Sequence, residues 1–329
     1  MDTHELHGLV DLTNEQYHGG PGVSKSQLDT IAPEVGGSPL NYWDQYINPD
    51  REPREYKHCF AVGDGTHKLV LEPGTFEKTY AVGFDKSAFP NALDTVADLK
   101  KELAAQNYMV SGSKPELAER LVNELGFPRE RVMYFLEQDH QASMSGRICI
   151  PATDYKAMLG MLTSISRDQW ASGLLTDAFV EQSFFVTDPQ GVLRKCRPDA
   201  ITSNGAVVAD LKTTDDVSEE GFGKTIAQRR YHVQAAWYLD ILYMLYGADA
   251  PREFAFIAVQ KKRPYDVGVH FLSPEDIERG RQLYQRDLAV LRQCQESGVW
   301  PGRTGGKLVK ARLPAWEFTR PIIMPEGVL

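Results

Sequence analysis

Apolar positions along the chain follow two periodicities, and the change between them divides it. Before residue 179 they recur at helical spacing. A short amphipathic stretch over 24–31 opens on Ser24 and Ser26 and closes before Pro33. A second runs over 60–71, after Gly63 and Gly65, and stops at Glu72-Pro73-Gly74, which puts His67 on a short helix. Residues 94–126 predict two helices joined by a Ser-Gly turn, with Val96, Leu99 and Leu103 on one apolar face and Leu117, Leu121 and Leu125 on the other. Asp94 or Thr95 caps the first; Ser113 and Glu116 form a capping box for the second, with Pro115 near its start, where proline is tolerated. The flanks 84–93 and 127–147 read as linkers, residues 1–58 as an irregular wrapping segment, and 153–178 as one or two helices begun by Thr153 and Asp154.

From Phe179 the period shortens to two. Stretches at 180–187, 192–201 and 206–214, separated by Asp188-Pro189-Gln190-Gly191 and Ser203-Asn204-Gly205, predict three strands of an antiparallel meander. A long helix over about 224–246 follows, then strands at 253–260 and 266–272 and a helix from about Pro274 to Gln295. The final segment is rich in Pro and Gly with interspersed basic residues, and the chain contains no internal repeat.

Composition excludes several classes. With 42% hydrophobic and 25% charged residues over 329, the chain is globular rather than disordered or fibrous, and its length fits one large domain with an insertion, or two domains. A net charge of −9 argues against coating nucleic acid through overall charge. An anionic substrate must then meet local basic patches, of which there are four: Lys100, Lys101 and Lys114; Lys224, Arg229 and Arg230; Lys261, Lys262 and Arg263; and Arg303, Lys307, Lys310 and Arg312. Cys59, Cys149, Cys196 and Cys294 form no C-x-x-C pair, which disfavours a zinc ribbon, an iron–sulfur ligand set or a disulfide framework and fits reduced thiols. The acidic N-terminus and the absence of about 18 unbroken apolar residues lead to the expectation of a soluble, cytoplasmic protein with no membrane partner.

Candidate chemistry lies in the strand region. Strand alternation places Asp210 and Lys212 on one face and Leu211 on the other, with Asp199 on the preceding strand across a tight turn. Two carboxylates facing one another with a single lysine are costly unless a cation neutralises them, and a hard divalent ion such as Mg²⁺ suits oxygen donors. Such a set, with the Leu211 carbonyl as a further donor and Lys212 acting on a water or a phosphate, is equipped for phosphodiester hydrolysis. A D-x-K strand is also what an ordinary solvated sheet face looks like.

The flanking residues carry a resemblance. Arg197-Pro198-Asp199, eleven positions before Asp210-Leu211-Lys212, resembles the P-D…(D/E)-x-K signature of the restriction-endonuclease-like nuclease superfamily. Gln234 and Tyr238 resemble the Q-x-x-x-Y motif of its RecB-like branch, and their i, i+4 spacing puts both on one helix face, as it does in any amphipathic helix. Gly65 to Pro73, containing His67, resembles the G-x-x-H-x-x-x-L-E-P stretch of phage-type exonuclease VIII (RecE-like) nucleases, as do Tyr17 to Leu28 and Ser38-Pro39 followed by Tyr42-Trp43.

The resemblance implies a mixed central sheet flanked by helices, and a Mg²⁺-dependent exonuclease (Mn²⁺ being an alternative) that degrades one strand of linear duplex DNA 5′→3′. It further implies a homo-oligomer and a single-strand annealing protein as recombination partner. By the same resemblance His67 and Asp199 are metal ligands, Asp210 a ligand shared with the attacking water, Leu211 a carbonyl ligand and Lys212 the catalytic lysine. Gln234 and Tyr238 position the DNA end or the water, Glu181 is a further candidate ligand, and Arg197 a candidate phosphate contact with a rim salt bridge as its alternative. His58, His140, His232 and His270 read as structural.

Residues 94–126 depart from that family and resemble a SAP motif, a small DNA-binding helical hairpin; Lys100, Lys101, Gly112, Ser113 and Lys114 then face phosphate. An inserted structural or protein-docking hairpin is the alternative. The resulting organisation is an N-terminal part of the nuclease domain at 1–90, a SAP-like insertion at 91–127 and a nuclease core at 128–329. Two rival functions remain open: a RecB-like endonuclease or single-strand nuclease, and a non-catalytic DNA-binding protein on a nuclease fold.

Overall fold

The computed structural model describes residues 6–52, 58–144 and 146–322, and side chains of the first helix of the site from Val62 onward, so His58 and Cys59 fall outside the described side chains. The chain separates into two units: Met1–Gly22 with Arg54–Gly280, and Val23–Pro53 with Arg281–Leu329.

The first unit is built on strands β1 (Gly8–Val10), β2 (Tyr80–Val82), β3 (Ile148–Ile150), β4 (Phe179–Val180), β5 (Ser183–Thr187), β6 (Leu193–Cys196), β7 (Ala200–Ile201), β8 (Val207–Thr214), β9 (Glu253–Gln260) and β10 (Val267–Phe271). A five-stranded sheet has the order β10-β9-β8-β7-β4, antiparallel throughout except for β8 beside β9. That parallel pair requires a crossover, supplied by the helices Glu219–Gln228 and Tyr231–Tyr246. Here the structure corrects the expectation of one long helix. Arg230 takes a left-handed φ of 55° between the two, and the second helix, with Val233, Ala236, Trp237, Leu239 and Leu242 all buried, lies against apolar surface on nearly every side.

The expected meander is also redistributed. Its first two strands break at Glu181-Gln182 and at Arg197–Asp199, so that β4 and β7 stay beside β8 while β5 and β6 join β1 in a separate three-stranded sheet. Pro198 has no N–H to contribute to a ladder, and Glu181 adopts φ 51°, a left-handed conformation that costs a non-glycine residue about 1 kcal/mol. The chain therefore turns a corner at the position where the P-D dipeptide stands.

Sheet alternation sorts the β8 side chains. Ala209 and Leu211 pack with Ile257 and Val259 of β9 against Met158, Met161 and Ile165 of the helix Ala152–Arg167 and against Leu69 of the helix His58–Leu71. Asp210 and Lys212 point to the opposite face, where the Tyr231–Tyr246 helix lies with Phe254 and Phe256 beside Tyr238 and Tyr231.

The predicted hairpin forms as Val96–Ala105 and Lys114–Asn123, each opened by a capping box: Thr95 with Asp98, and Ser113 with Glu116. Such caps stabilise a helix start by about 1 kcal/mol. Leu99, Leu103, Leu117 and Leu121 are fully buried, whereas Val96 is exposed. The flank 127–147 is not a linker. It contains the helix Met133–Ser143, and Val132 and Phe135 enter the same apolar cluster as the hairpin leucines, because two short helices alone leave one face of each uncovered. This helical module runs between β2 and β3, which pair in parallel, so the chain leaves and re-enters at neighbouring strands. Lys86 ties its start to Asp94 (3.2 Å) and Glu137 (2.8 Å).

In the second unit, Ser24 and Ser38 cap the helices Lys25–Asp29 and Pro39–Tyr46. Tyr42 stacks on Trp300 with ring centroids 5.8 Å apart, and Arg286 forms a two-pronged ion pair with Glu34. No described helix is long and apolar enough to cross a membrane.

Candidate active site

β7 ends at the corner, and that ending exposes the chemistry. Ala200 and Ile201 pair with Ala209 and Val208, so the next β8 positions have no backbone neighbour on that side. The side chain of Asp199 fills the place: its Oδ2 accepts the Leu211 N–H at 2.7 Å. Because N–H and C=O of one strand residue point to the same side, the Leu211 carbonyl also faces this gap. Oδ2 of Asp199 lies 3.0 Å from Nε2 of His67, whose Nδ1 donates to the Gly63 carbonyl at 2.8 Å, one turn back on its helix.

Asp210, with none of its surface exposed, is held from two sides. The Lys212 ammonium pairs with its Oδ1, and Nε2 of Gln234 donates to its Oδ2 at 2.5 Å. Tyr238, one turn beyond Gln234, is half-buried at the edge of the same cluster. Glu181 reaches in from the corner: its N–H donates to the Asp199 carbonyl at 3.1 Å, and its carboxylate pairs with Nε of Arg197 at 3.0 Å. Nη1 of Arg197 is buried and makes no hydrogen bond among the described residues.

The electrostatics follow from this crowding. Burial works against a charged His67, yet the adjacent Asp199 overcomes it and lifts the imidazole to about 9, while Asp199 itself is held low despite burial, by His67 and Lys212. Burial together with the Asp199 charge raises Asp210 to about 6, against the pull of Lys212. Lys212 stays above the ordinary lysine range because Asp210 and Asp199 outweigh its burial. Burial and Asp199 likewise push Glu181 up to about 7, with Arg197 opposing. Three carboxylates thus share three cations, the Lys212 ammonium, the Arg197 guanidinium and the His67 imidazolium, and burial with mutual repulsion still pushes Asp210 and Glu181 up.

The structure brings together His67, Glu181, Arg197, Asp199, Asp210, Leu211, Lys212, Gln234 and Tyr238. Lys100, Lys101, Gly112, Ser113 and Lys114 belong to the helical module instead. There Glu116 occupies the Ser113 N–H (2.7 Å) and Lys114 pairs with Asp94 (3.0 Å), which leaves Lys101 as the exposed cation of the set. His140, His232 and His270 each bond a backbone carbonyl, a structural role. Three neighbours of the site were missed. Tyr17 is fully covered, with the Arg197 guanidinium 5.6 Å and the Lys195 ammonium 5.0 Å from its ring centre. Lys195 donates to the carbonyls of Tyr17 (2.7 Å) and Gly20 (2.8 Å), and burial lowers it to about 8. Tyr231 lies 5.1 Å from the Lys212 ammonium. The Tyr17-His18-Gly19-Gly20 stretch was the available signal, but nothing local to it tells that it lines this corner.

A mixed sheet with helices on both faces, and an Asp on a broken strand facing a D-x-K strand, defines a restriction-endonuclease-like core of the PD-(D/E)XK nuclease superfamily. The family model described as a PDDEXK-like domain of unknown function (DUF3799) matches residues 42–308, and the chain belongs to that family. The structure is similar over 95% of this chain and 100% of the other to that of a candidate exonuclease from Eubacterium rectale, with a TM-score of 0.56 at 12% identity, a likeness of fold. The structure of SSO0001 aligns over 62% of this chain and 95% of its own at 17% identity with a TM-score of 0.26. No curated protein matches the chain.

A divalent metal is what this superfamily's donor set implies, and the residues present fit one. His67, Asp199, Asp210 and the Leu211 carbonyl offer nitrogen and oxygen donors, and the Asp210 carboxyl, raised by burial and by Asp199 despite Lys212, marks carboxylate crowding that a cation relieves. Among the described residues no three His, Cys, Asp or Glu side chains already converge as a cage. His67 is turned to Asp199 and Asp210 to Lys212 and Gln234, so ion binding requires these pairs to be loosened.

Proposed function

We propose that the protein is a metal-dependent DNA exonuclease acting on ends of linear duplex, 5′→3′, so as to leave 3′ single strands for a recombination or annealing partner. The observation that supports it most is the Asp199–Asp210–Lys212 cluster at the end of β7, two carboxylates and a lysine whose burial costs desolvation that a binding protein has no physical reason to bear. The ordered resemblances to exonuclease VIII nucleases and the description of the Eubacterium rectale neighbour as a candidate exonuclease point the same way. Polarity, the SAP-like role of the helical module and a homo-oligomer rest on the resemblance.

In this reading His67, Asp199, Asp210 and the Leu211 carbonyl hold Mg²⁺ or Mn²⁺. The ion supplies Lewis acidity and an acidified water. Lys212 is fixed by Asp210 within reach of the attacking water or the phosphate and stabilises the charge that develops there. Gln234 sets the Asp210 carboxylate by holding Oδ2, and Tyr238, one turn on, borders the cluster where a DNA end is placed. The unpartnered Nη1 of Arg197 is a donor suited to a non-bridging phosphate oxygen, while Nε stays with Glu181.

Digestion of linear duplex labelled separately at its 5′ and 3′ ends, with Mg²⁺ or EDTA and a closed circle as control, tests the proposal. Metal-dependent release of the 5′ label, loss of activity in Lys212→Ala and Asp210→Ala, and survival of the circle are expected. Cutting of the circle selects an endonuclease, and retained DNA binding without cutting in any metal overturns catalysis.

A further inference from the structure

The Lys261-Lys262-Arg263 run, left without a role above, forms the tight loop between β9 and β10. β8 and β9 are parallel, and Lys212 and Thr214 lie beside Ala258 and Gln260. The loop therefore leaves the same end of the sheet as the D-x-K strand: the Lys261 N–H donates to the Thr214 carbonyl, two residues past Lys212, or about 7 Å along a strand. β9 stands one strand spacing, about 5 Å, to the side.

The loop is rigid. Its ends are tied by Gln260 N–H to the Asp266 carbonyl (2.9 Å) and Tyr265 N–H to the Lys262 carbonyl (2.8 Å). Tyr265 is held at φ 62° and its ring lies on the backbone of Gly160 in the Ala152–Arg167 helix, so close that a Cβ there would stand 2.3 Å from Cε2. A strained residue pinned by a glycine on another element is over-determined by its surroundings, the circumstance in which strain persists at working surfaces. Between the helix and the loop lies an open cavity of about 680 Å³ whose walls include Arg167, Arg263, Ser164 and Tyr265. Lys261 is neutralised by Asp215 at 3.0 Å, but Arg167, Lys262 and Arg263 form no ion pair among the described residues. On a chain of net charge −9, two arginines without an ion pair on the walls of one groove, with Lys262 adjacent in the loop, stand out.

We propose that this groove, on the Ala152–Arg167 helix side of the sheet and across it from the Asp210 and Lys212 side chains, is a phosphate-backbone track: Arg167 and Arg263, with Lys262 next to them in the loop, hold the sugar–phosphate backbone of duplex DNA where it runs past the ends of β8 and β9, without reading bases. The inference rests on the nuclease reading and adds the surface that carries the substrate past the site. Each backbone contact contributes about 0.9 to the salt slope of log K, so losing the two arginines lowers the slope by about 1.8, a weakening of about 60-fold at 0.1 M salt.

The test compares the full chain carrying Lys212→Ala with the same chain carrying Arg167→Gln and Arg263→Gln as well. Binding of a labelled 30-base-pair duplex is read by fluorescence anisotropy from 0.05 to 0.4 M salt. In parallel, hydrolysis of bis(p-nitrophenyl) phosphate, too small to reach the groove, is measured with Lys212 intact. The expected result is a slope reduced by about 1.8 with hydrolysis of the small diester within twofold of the parent. Equal affinity and slope in the two proteins overturns the track while leaving the nuclease reading standing. A loss of small-diester hydrolysis in the arginine variant also overturns it, because the arginines then act on the site or the fold. If the parent neither hydrolyses the small diester nor cuts DNA, the nuclease reading itself fails, and the track with it.

Discussion

Replacing Asp210 by Asn separates the function of the cluster from its stability. Asp210 is fully buried, and its carboxyl is raised from 3.8 to about 6 by burial and by Asp199. A carboxyl whose folded value exceeds its unfolded one takes up protons on folding between those values, so its ionisation withdraws stability as pH rises from about 4 to 6, and the loss persists above that window. The difference between the two values corresponds to about 3 kcal/mol at pH 7, roughly half that at pH 5 and little at pH 4. Asn keeps the shape and an acceptor without the charge. Metal-free Asp210→Asn should therefore be more stable than the parent by about 3 kcal/mol at pH 7.5, with the gain shrinking on acidification, while nuclease activity is lost. Lys212→Met should do the opposite, destabilising by about 3 kcal/mol or more, because it strands a buried carboxylate. Urea unfolding in EDTA at pH 7.5, 5 and 4 measures both. A destabilised Asp210→Asn at pH 7.5, or a gain independent of pH, would refute the idea that burial and the Asp199 charge strain the Asp210 carboxylate.

Other consequences are testable. Since Asp199 holds the His67 imidazolium up to about 9, Mg²⁺ binding through His67 must displace a proton; affinity should rise about tenfold per unit between pH 6 and 8, with near one proton released in calorimetry, and His67→Ala should abolish that release. Gln234→Leu removes the donor to a buried carboxylate, worth about 1.5–3 kcal/mol, so kcat/KM on DNA should fall roughly 10- to 150-fold, with partial recovery in Gln234→Asn absent only if the helix repacks; steady-state kinetics decides. Leu121→Ala in the helical module should cost about 2–5 kcal/mol locally, seen as faster proteolysis between residues 84 and 147, while bis(p-nitrophenyl) phosphate hydrolysis is unchanged.

The elements that local pattern sets came out of the sequence almost residue for residue. β9 occupies 253–260 as expected, because a strand buried on both faces reads as an unbroken apolar run. Thr95, one of the two caps the sequence offers, opens the first helix of the hairpin, and the expected Ser113–Glu116 capping box opens the second, since such bonds close within a single turn; the Thr95–Asp98 box is the structure's addition. The pairing of Asp210 with Lys212 was legible because alternation along one strand is also local.

What required the tertiary structure involves residues far apart in sequence, or a choice between equally allowed conformations. No local signal says that Arg230 turns left-handed and splits a helix, or that 133–143 is helical because it covers a hairpin that cannot bury its own leucines. The break at Pro198 was visible, but its result was not: one pair of strands divided between two sheets, and Asp199 placed where β7 ends so that it bridges His67 and the Leu211 N–H. Tyr17 beneath Arg197 and Lys195, and Gln234 on Asp210, join segments 24 to 180 residues apart. By itself the sequence determined which groups are available for the chemistry and which strand and helix carry them, because periodicity and capping act within a few residues. The fold alone decided their protonation and their partners, because burial and the distance between charges are properties of the assembled chain.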